Sequence, residues 1–184
     1  MTFFIPAFNL LVSFAVIVMQ IVVAAIVLRF LLSKNRASDR YLRFVSRYAY
    51  PVSFLIALGG MVLSLIYSDV VGYSVCTLCW YQRILLYPQA LLLGLALWRG
   101  DRTITDYIIV LSGLGIILAV YQKYVEFGGV AILPCSSTDI SCSKIYVLEF
   151  GYITIPVMAL TSFVFIFTLM LIGRYVTRAG SLRL

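Results

Sequence analysis

Val75 to Pro88 read VCTLCWYQRILLYP, a stretch that joins a C-x-x-C pair to the start of a strongly apolar helix. Cys76 and Cys79 have the spacing of redox-active dithiols and of metal-binding knuckles. If the helix begins near Cys76, its unpaired N–H groups and partial positive charge favour a thiolate at this end. Arg83 follows Cys79 by four residues and is expected on the same helix face. The pattern therefore predicts that Cys79 is the sulfur that more readily becomes a thiolate.

The composition is that of an integral membrane protein. Of the 184 residues, 63% are hydrophobic and 11% are charged, and the mean hydropathy is +1.06, which is too apolar for a soluble domain of this length. A net charge of +7 in such a protein orients the helices and does not indicate nucleic-acid binding. The chain has four cysteines and no histidine. Histidine-based acid/base chemistry and histidine-bound metals are therefore excluded, and sulfur remains as the reactive element.

Five runs of apolar sequence are long enough to cross a hydrocarbon core, which needs roughly 20 residues. Pro51 is expected in the first turn of the second span, where a missing N–H is tolerated. We therefore predict an all-α membrane protein with five spans: Phe8–Leu28, Tyr48–Ser68, the C-x-x-C to Trp98, Thr105–Gln122 and Ile153–Ile172.

The distribution of basic residues predicts the orientation of the spans. With the N-terminus outside and the C-terminus inside, eleven of the 14 Lys and Arg residues fall on inner segments. Only Arg83, Lys123 and Lys144 then fall on the outer side, in agreement with the positive-inside rule. This orientation places all four cysteines at the outer face, where thiols can be held oxidised.

Three of the predicted spans contain a pair of small residues four positions apart, which allows helices to approach closely. The first span has no comparable pair. We therefore expect a compact bundle of the second to fifth helices, with the first helix added at its periphery. The pairs are Gly60/Ser64, Ala90/Gly94 and Gly115/Ala119.

The four cysteines admit several interpretations. A zinc site is a poor match, because a C-x-x-C followed by a C-x6-C lacks a second short pair and any histidine. Structural disulfides are a second alternative, although rings this short would stabilise the fold by only about 2 kcal/mol. Incidental membrane cysteines are a third. Redox exchange explains more, because a disulfide between Cys135 and Cys142, on the polar loop PCSSTDISC, would be open to attack by the thiolate of a partner protein.

Electrons taken from a dithiol need an acceptor. The chain has no glycine-rich dinucleotide fingerprint and no C-x-x-C-H haem motif, whereas a quinone dissolved in the lipid arrives laterally and accepts two electrons. Arg83 is expected to stabilise the thiolate and to donate a hydrogen bond to a quinone carbonyl. The alternative for Arg83 is a basic side chain that snorkels to the lipid headgroups. Residues 143–150, SKIYVLEF, are expected to lie flat on the membrane and to hold the loop cysteines near Cys76.

The chain resembles the DsbB/BdbC family of membrane disulfide-bond formation proteins. The resemblance rests on CTLCWYQRILLYP from Cys76, on the loop pair Cys135 and Cys142, and on GYITIPVMALTSF from Gly151. It covers about residues 48–175. It implies a four-helix bundle, here with an extra N-terminal helix at 8–28 and with the loop pair on an outer segment at 123–152.

The resemblance also implies a function and roles for single residues. The implied activity is that of a thiol:quinone oxidoreductase of the bacterial cytoplasmic membrane. Such a protein reoxidises a secreted thioredoxin-fold oxidant of the DsbA/BdbD type and uses ubiquinone or menaquinone. By position, Cys135 matches the cysteine that meets the partner, Cys142 the one that exchanges with Cys76, Cys79 the one that reacts with quinone, and Arg83 the quinone-site arginine.

Two other functions remain as alternatives. A vitamin K epoxide reductase-like protein is also a helical bundle with two cysteine pairs and a quinone, but there the loop pair precedes the C-x-x-C, and here it follows. A non-catalytic membrane scaffold is the second alternative. It predicts that Cys79→Ser leaves the function intact.

Overall fold

The computed structural model describes residues 4–33, 39–101, 103–130 and 144–181, and five α-helices account for most of them. α2 runs directly into a π-helical turn, Ile66–Val70. Cys135 and Cys142 lie outside the described residues. The helices are α1 (Phe4–Leu32), α2 (Arg40–Leu65), α3 (Thr77–Arg99), α4 (Thr105–Glu126) and α5 (Ile155–Ser181).

Four of the described helices, α1, α2 with its π-helical turn, α4 and α5, are long and apolar enough to cross a membrane. α3 has 23 residues, or about 35 Å of helix at 1.5 Å per residue. Short connections, residues 71–76 and 100–104, join its two ends to α2 and α4. Because α3 packs along both of these spanning helices, it crosses the same thickness and supplies the fifth span.

α5 is the central helix of the bundle. It packs along α2 and α4, while α3 closes the other side by packing on the same two helices, and α1 lies outside against α5. The predicted four-helix bundle with one added N-terminal helix is therefore confirmed. Its core is apolar and contains fully buried side chains from four helices: Leu42, Leu93, Ile108, Phe163 and Ile166.

Two helices extend well beyond the predicted spans. α2 begins at Arg40, eight residues before the expected start, and α5 continues to Ser181. Hydropathy marks where the lipid ends, but backbone hydrogen bonding continues into the charged sequence. α2 is started there by Asp39, whose carboxylate accepts the N–H groups of Tyr41 and Leu42, as an N-cap does. The expectation for Pro51 was wrong, because this proline lies three turns inside α2.

The predicted close approaches between helices occur at glycines. A Cβ atom on Gly60 of α2 would lie 3.0 Å from the Leu86 side chain of α3, and one on Gly94 of α3 would lie 3.0 Å from the ring of Phe54. A Cβ atom on Gly115 of α4 would overlap the ring of Phe163 of α5. These contacts fix the rotation of α3 and α4 against the rest of the bundle.

Gly115→Ala is expected to destabilise the protein by about 1 to 3 kcal/mol, because the buried Phe163 ring must move to admit the methyl group. The higher helix propensity of alanine, about 1 kcal/mol, offsets only part of this cost. Gly113→Ala in the same helix is the matched control, since a Cβ atom there has its nearest neighbour, Phe167, at 3.8 Å. Thermal unfolding of both variants in detergent checks the prediction. Equal stability of the two variants would contradict it.

Candidate functional site

The C-x-x-C pair lies where an extended segment turns into α3. Cys76 is the N-cap residue, with φ −76° and ψ 166°, and its Sγ accepts a long hydrogen bond of 3.4 Å from the N–H of Cys79. Cys76 is buried and Cys79 is half-buried. The predicted start of the helix at Cys76 is confirmed, so the pair lies at the end of α3 that carries partial positive charge.

The two sulfurs are free thiols 2.9 Å apart. Since a disulfide bond is about 2.05 Å long, a movement of about 1 Å closes it. The hydrogen bond to the Cys79 sulfur, and secondly burial, raise the pKa of the Cys76 thiol. The raised pKa of Cys76 favours Cys79 as the sulfur on which negative charge develops.

Two buried glutamines support the dithiol from α3 and α4. Nε2 of Gln122 lies 3.2 Å from the Cys79 sulfur and 3.5 Å from the Cys76 sulfur. Gln82 in turn donates to Oε1 of Gln122 at 2.7 Å. A donor aimed at both sulfurs favours a thiolate, because hydrogen bonds to charged groups are about twice as strong as neutral ones.

Arg83 is held by α2. Its Nε donates to the hydroxyl of Ser64 and its Nη2 to the carbonyl of Ser64, both at 2.8 Å. The guanidinium also lies 5.3 Å from the ring of Trp80, a cation–π distance. Ser64, noted in the sequence only as a small residue, is thus the residue that positions Arg83.

A buried ion pair lies one turn beyond Gln122. Lys123 pairs with Glu126 at 2.8 Å, and the Glu126 side chain is only 4% exposed. Thr154, at the start of α5, donates to the same carboxylate oxygen at 3.0 Å. A buried charged group is stable only when it is paired and hydrogen-bonded. The contacts of Glu126 with Lys123 and Thr154 connect α4 to the start of α5.

The dithiol opens into a cavity of about 440 Å³ that is lined by residues of all five helices. Its polar lining includes Gln82, Arg83, Gln122 and Glu126. The remaining lining is mainly apolar. Leu11 and Leu55 line the cavity and are 69% and 63% exposed, so the cavity is open at the side where lipid lies.

The chain that follows the loop cysteines packs against the dithiol end of the bundle. Tyr146 stacks on Tyr73 with ring centroids 4.8 Å apart, and Tyr73 stacks on Tyr67 at 5.8 Å. Val147 is buried in the same cluster. Ile145 and Leu148 remain exposed. Residues 144–150 are therefore attached to the bundle through the adjacent side chains of Tyr146 and Val147 and form no helix.

Comparison with known proteins agrees with this geometry. The family model described as "Disulfide bond formation protein DsbB" matches residues 46–173. The chain belongs to the DsbB family. Among solved structures none matches it.

The similar proteins in this family carry names that describe disulfide formation. Disulfide bond formation protein C of Bacillus subtilis is 39% identical over 132 residues, which is 70% of this chain and 91% of that protein. Probable disulfide formation protein C 2 of Bacillus anthracis is 32% identical over 130 residues, 71% of this chain and 93% of the relative. A probable disulfide formation protein of Coxiella burnetii is 38% identical over 120 residues, 64% and 82% of the two chains.

The structure of this DsbB-family protein brings three of the predicted site residues together. Cys76, Cys79 and Arg83 line one cavity. Cys135 and Cys142 belong to the part of the chain that is not described, so their roles stay predictions.

Sequence reasoning missed Gln82, Gln122 and Glu126. Their signal was present, since polar side chains within or at the ends of membrane helices are costly and are often functional. Gln82 is 7% exposed and Gln122 is 3% exposed. What the sequence did not reveal is that both glutamines face the dithiol.

Gln122→Leu is expected to slow alkylation of Cys79 by iodoacetamide about 10- to 100-fold at fixed pH. The substitution keeps the size of the side chain but removes the donor to the sulfurs, and a hydrogen bond to a charged group is worth about 1.5 to 3 kcal/mol. Gln89→Leu is the matched control. Gln89 is also fully buried between α3 and α4, but it bonds to Leu85 and Ser112. Mass spectrometry of the alkylated peptide measures the rate, and equal rates in the wild type and Gln122→Leu would contradict the prediction.

Proposed function

We propose that the protein oxidises the dithiol of an extracytoplasmic thioredoxin-fold partner of the DsbA/BdbD type and transfers the electron pair to membrane quinone. The observation that carries the proposal is the shared cavity, in which a close dithiol, a positioned arginine and an apolar space open to lipid meet. Membership of the DsbB family supports disulfide formation as the activity.

The relay runs through two disulfide exchanges. A thiolate of the partner attacks the Cys135–Cys142 disulfide, and the partner leaves as a disulfide while the loop pair becomes a dithiol. Cys142 then attacks the Cys76–Cys79 disulfide, which restores the loop disulfide and leaves Cys76 and Cys79 reduced. Each exchange forms one S–S bond and breaks one, so two electrons and two protons pass to the membrane pair.

The cavity fits a quinone as the final acceptor. A quinone held in this cavity would supply the acceptor for the two electrons and two protons of the dithiol. Arg83 and Gln122 supply N–H donors beside Cys79, where negative charge develops, and the apolar lining suits a prenyl tail. Cys76 lies 2.9 Å from Cys79 and would give up its proton as the Cys76–Cys79 disulfide forms again.

The stacked tyrosines support exchange between the two cysteine pairs. Tyr146 follows Cys142 by four residues, and Tyr73 precedes Cys76 by three. The contact between the two rings attaches the chain that follows the loop pair to the chain that precedes the dithiol, which supports exchange between the two pairs.

The distribution of charge supports an outer location of the site. The first half of α1 and the dithiol lie at the same end of the bundle, because both line the cavity. Arg29 and Arg174 pair with Asp39 and Asp106 at the opposite end. We assign the basic end to the cytoplasm by the positive-inside rule.

The experiment that tests the function is turnover of the purified protein in liposomes. Reduced partner protein is added outside and the quinone absorbance is followed, with ubiquinone and menaquinone in parallel. One quinone is expected to disappear for each partner dithiol oxidised. Oxidation of the partner without loss of either quinone would refute the proposal. The family match favours this function over the vitamin K epoxide reductase-like alternative.

A further inference from the structure

α1 lies outside the residues that match the DsbB family model, 46–173, yet it forms a wall of the cavity at the dithiol. Six of its side chains line this space, and they recur every three or four residues along one face of the helix. They are Phe8, Leu11, Val12, Ala15, Val16 and Met19. From Phe8 to Met19 the wall is about 17 Å long at 1.5 Å per residue, roughly half of the hydrocarbon core.

Polar side chains hold α1 in a fixed position. The hydroxyl of Tyr67 donates to Oδ1 of Asn9 at 2.9 Å in a buried contact. Gln20 donates to Thr161 of α5 at 3.1 Å and accepts from the hydroxyl of Tyr152 at 2.8 Å. Asn9 and Gln20 are three turns apart and so face the same side. Hydrogen bonds of this kind are costly to break in lipid. They therefore fix the axial position and the rotation of α1 relative to the bundle.

The opposite wall of the cavity is α2, with α5 as the floor. A Cβ atom on Gly59 of α2 would have no atom within 4 Å, which shows that α2 leaves open space on this side. Ala15 of α1 is exposed although it lines the cavity. Together with Leu11 and Leu55 it forms the edge of an apolar groove that leads from the dithiol into the lipid.

We infer that α1 is the tail-binding wall for the electron acceptor, so that the prenyl chain of a quinone leaves the cavity through the groove between α1 and α2. This inference rests on the proposed function. The groove is apolar, open to lipid and continuous with the polar end at Arg83, which matches an amphiphilic molecule with a polar ring and a long apolar chain. Substitutions at Ala15 and Leu11 then change the KM for a long-tailed quinone, whereas the KM for a tailless quinone does not depend on these residues.

A photoreactive quinone tests this placement without turnover. With the reactive group at the end of a short prenyl tail, cross-links to the full-length protein in nanodiscs are expected within residues 8–19 and 55–63. Mapping of the labelled peptides by mass spectrometry gives the result. Cross-links that leave residues 8–19 of α1 unlabelled would overturn the inference.

Kinetics with matched variants provides the second test. Ala15→Phe is expected to raise KM for a long-tailed quinone about tenfold, a steric discrimination typical of apolar pockets, and to leave KM for a tailless quinone within about twofold. The control is Ala24→Phe, since Ala24 is exposed on the opposite face of α1 and does not line the cavity. Neither change adds volume to the core. Leu11→Trp and Leu10→Trp form a second pair of exposed neighbours, of which only Leu11 lines the cavity.

The outcomes separate the two proposals. If the wild type reduces both quinones but the variants lining the cavity match their controls, the role of α1 is wrong and the proposed function stands. If the wild type reduces neither quinone, the proposed function fails and the inference fails with it.

Discussion

Replacing Cys79 with serine is expected to abolish quinone reduction, a loss of at least about 1000-fold. A serine hydroxyl cannot form a disulfide, so Cys76 has no sulfur 2.9 Å away with which to close the bond that releases two electrons. The hydrogen bond from Gln122 to this position is also left without a thiolate to stabilise. Loss of quinone absorbance in liposomes, driven by the reduced partner, measures the effect.

Two other variants show where such a loss arises. Thr77→Ser changes the residue next to Cys76 in the same turn and is expected to keep turnover within about twofold, since it leaves both sulfurs in place. Cys135→Ser is expected to stop oxidation of the protein partner while leaving quinone reduction by a small dithiol. Wild-type turnover by Cys79→Ser would instead support the non-catalytic scaffold.

The fold was largely predictable because lipid imposes a simple rule on the sequence. Five apolar runs predicted five helices, and the small residues Gly60, Gly94 and Gly115 predicted where helices approach each other. The helix ends were less predictable. Hydropathy falls at the first charged residues, but α2 begins at Arg40 because Asp39 caps it, and the capping energy is local and independent of the membrane.

The site was predictable where its residues are neighbours in sequence. Cys79 and Arg83 lie on α3 and Cys76 is its N-cap residue, so their spacing alone places them together. The contacts between Gln122 and the sulfurs, and between Ser64 and Arg83, depend on the rotation and axial register of two packed helices. Register is fixed by the shapes that meet at a helix contact, which a single sequence does not display.

The role of α1 was missed for a related reason. The first helix lacks a pair of small residues four positions apart, so the sequence predicted only a peripheral helix. That position is correct, because α1 packs mainly on α5. A peripheral helix can still form one wall of a cavity. The buried contact of Asn9 with Tyr67 places α1 beside the dithiol.

Arg83→Leu is expected to raise KM for quinone about 10- to 100-fold while leaving KM for the partner dithiol unchanged. The estimate follows from a charge-assisted hydrogen bond, worth about 1.5 to 3 kcal/mol, at about 1.4 kcal/mol for each tenfold change. A guanidinium has five N–H donors, and two of them are bound to Ser64. This anchor fixes the plane of the group beside the cavity, so the remaining donors are available to an acceptor without further ordering.

Two further substitutions distinguish a hydrogen bond from Arg83 to quinone from the effect of its positive charge alone. Arg83→Lys keeps the positive charge but cannot make two parallel bonds to Ser64, so its KM for quinone is expected between those of the wild type and Arg83→Leu. Arg99→Leu makes the same change in the last turn of α3, far from the dithiol, and is expected to leave KM unchanged. Steady-state kinetics with quinone varied at saturating partner gives all three values. If Arg83 only snorkelled to the headgroups, Arg83→Leu and Arg99→Leu would have equally small effects. A selective rise in KM at Arg83 is therefore the result that distinguishes a quinone contact from an interfacial anchor.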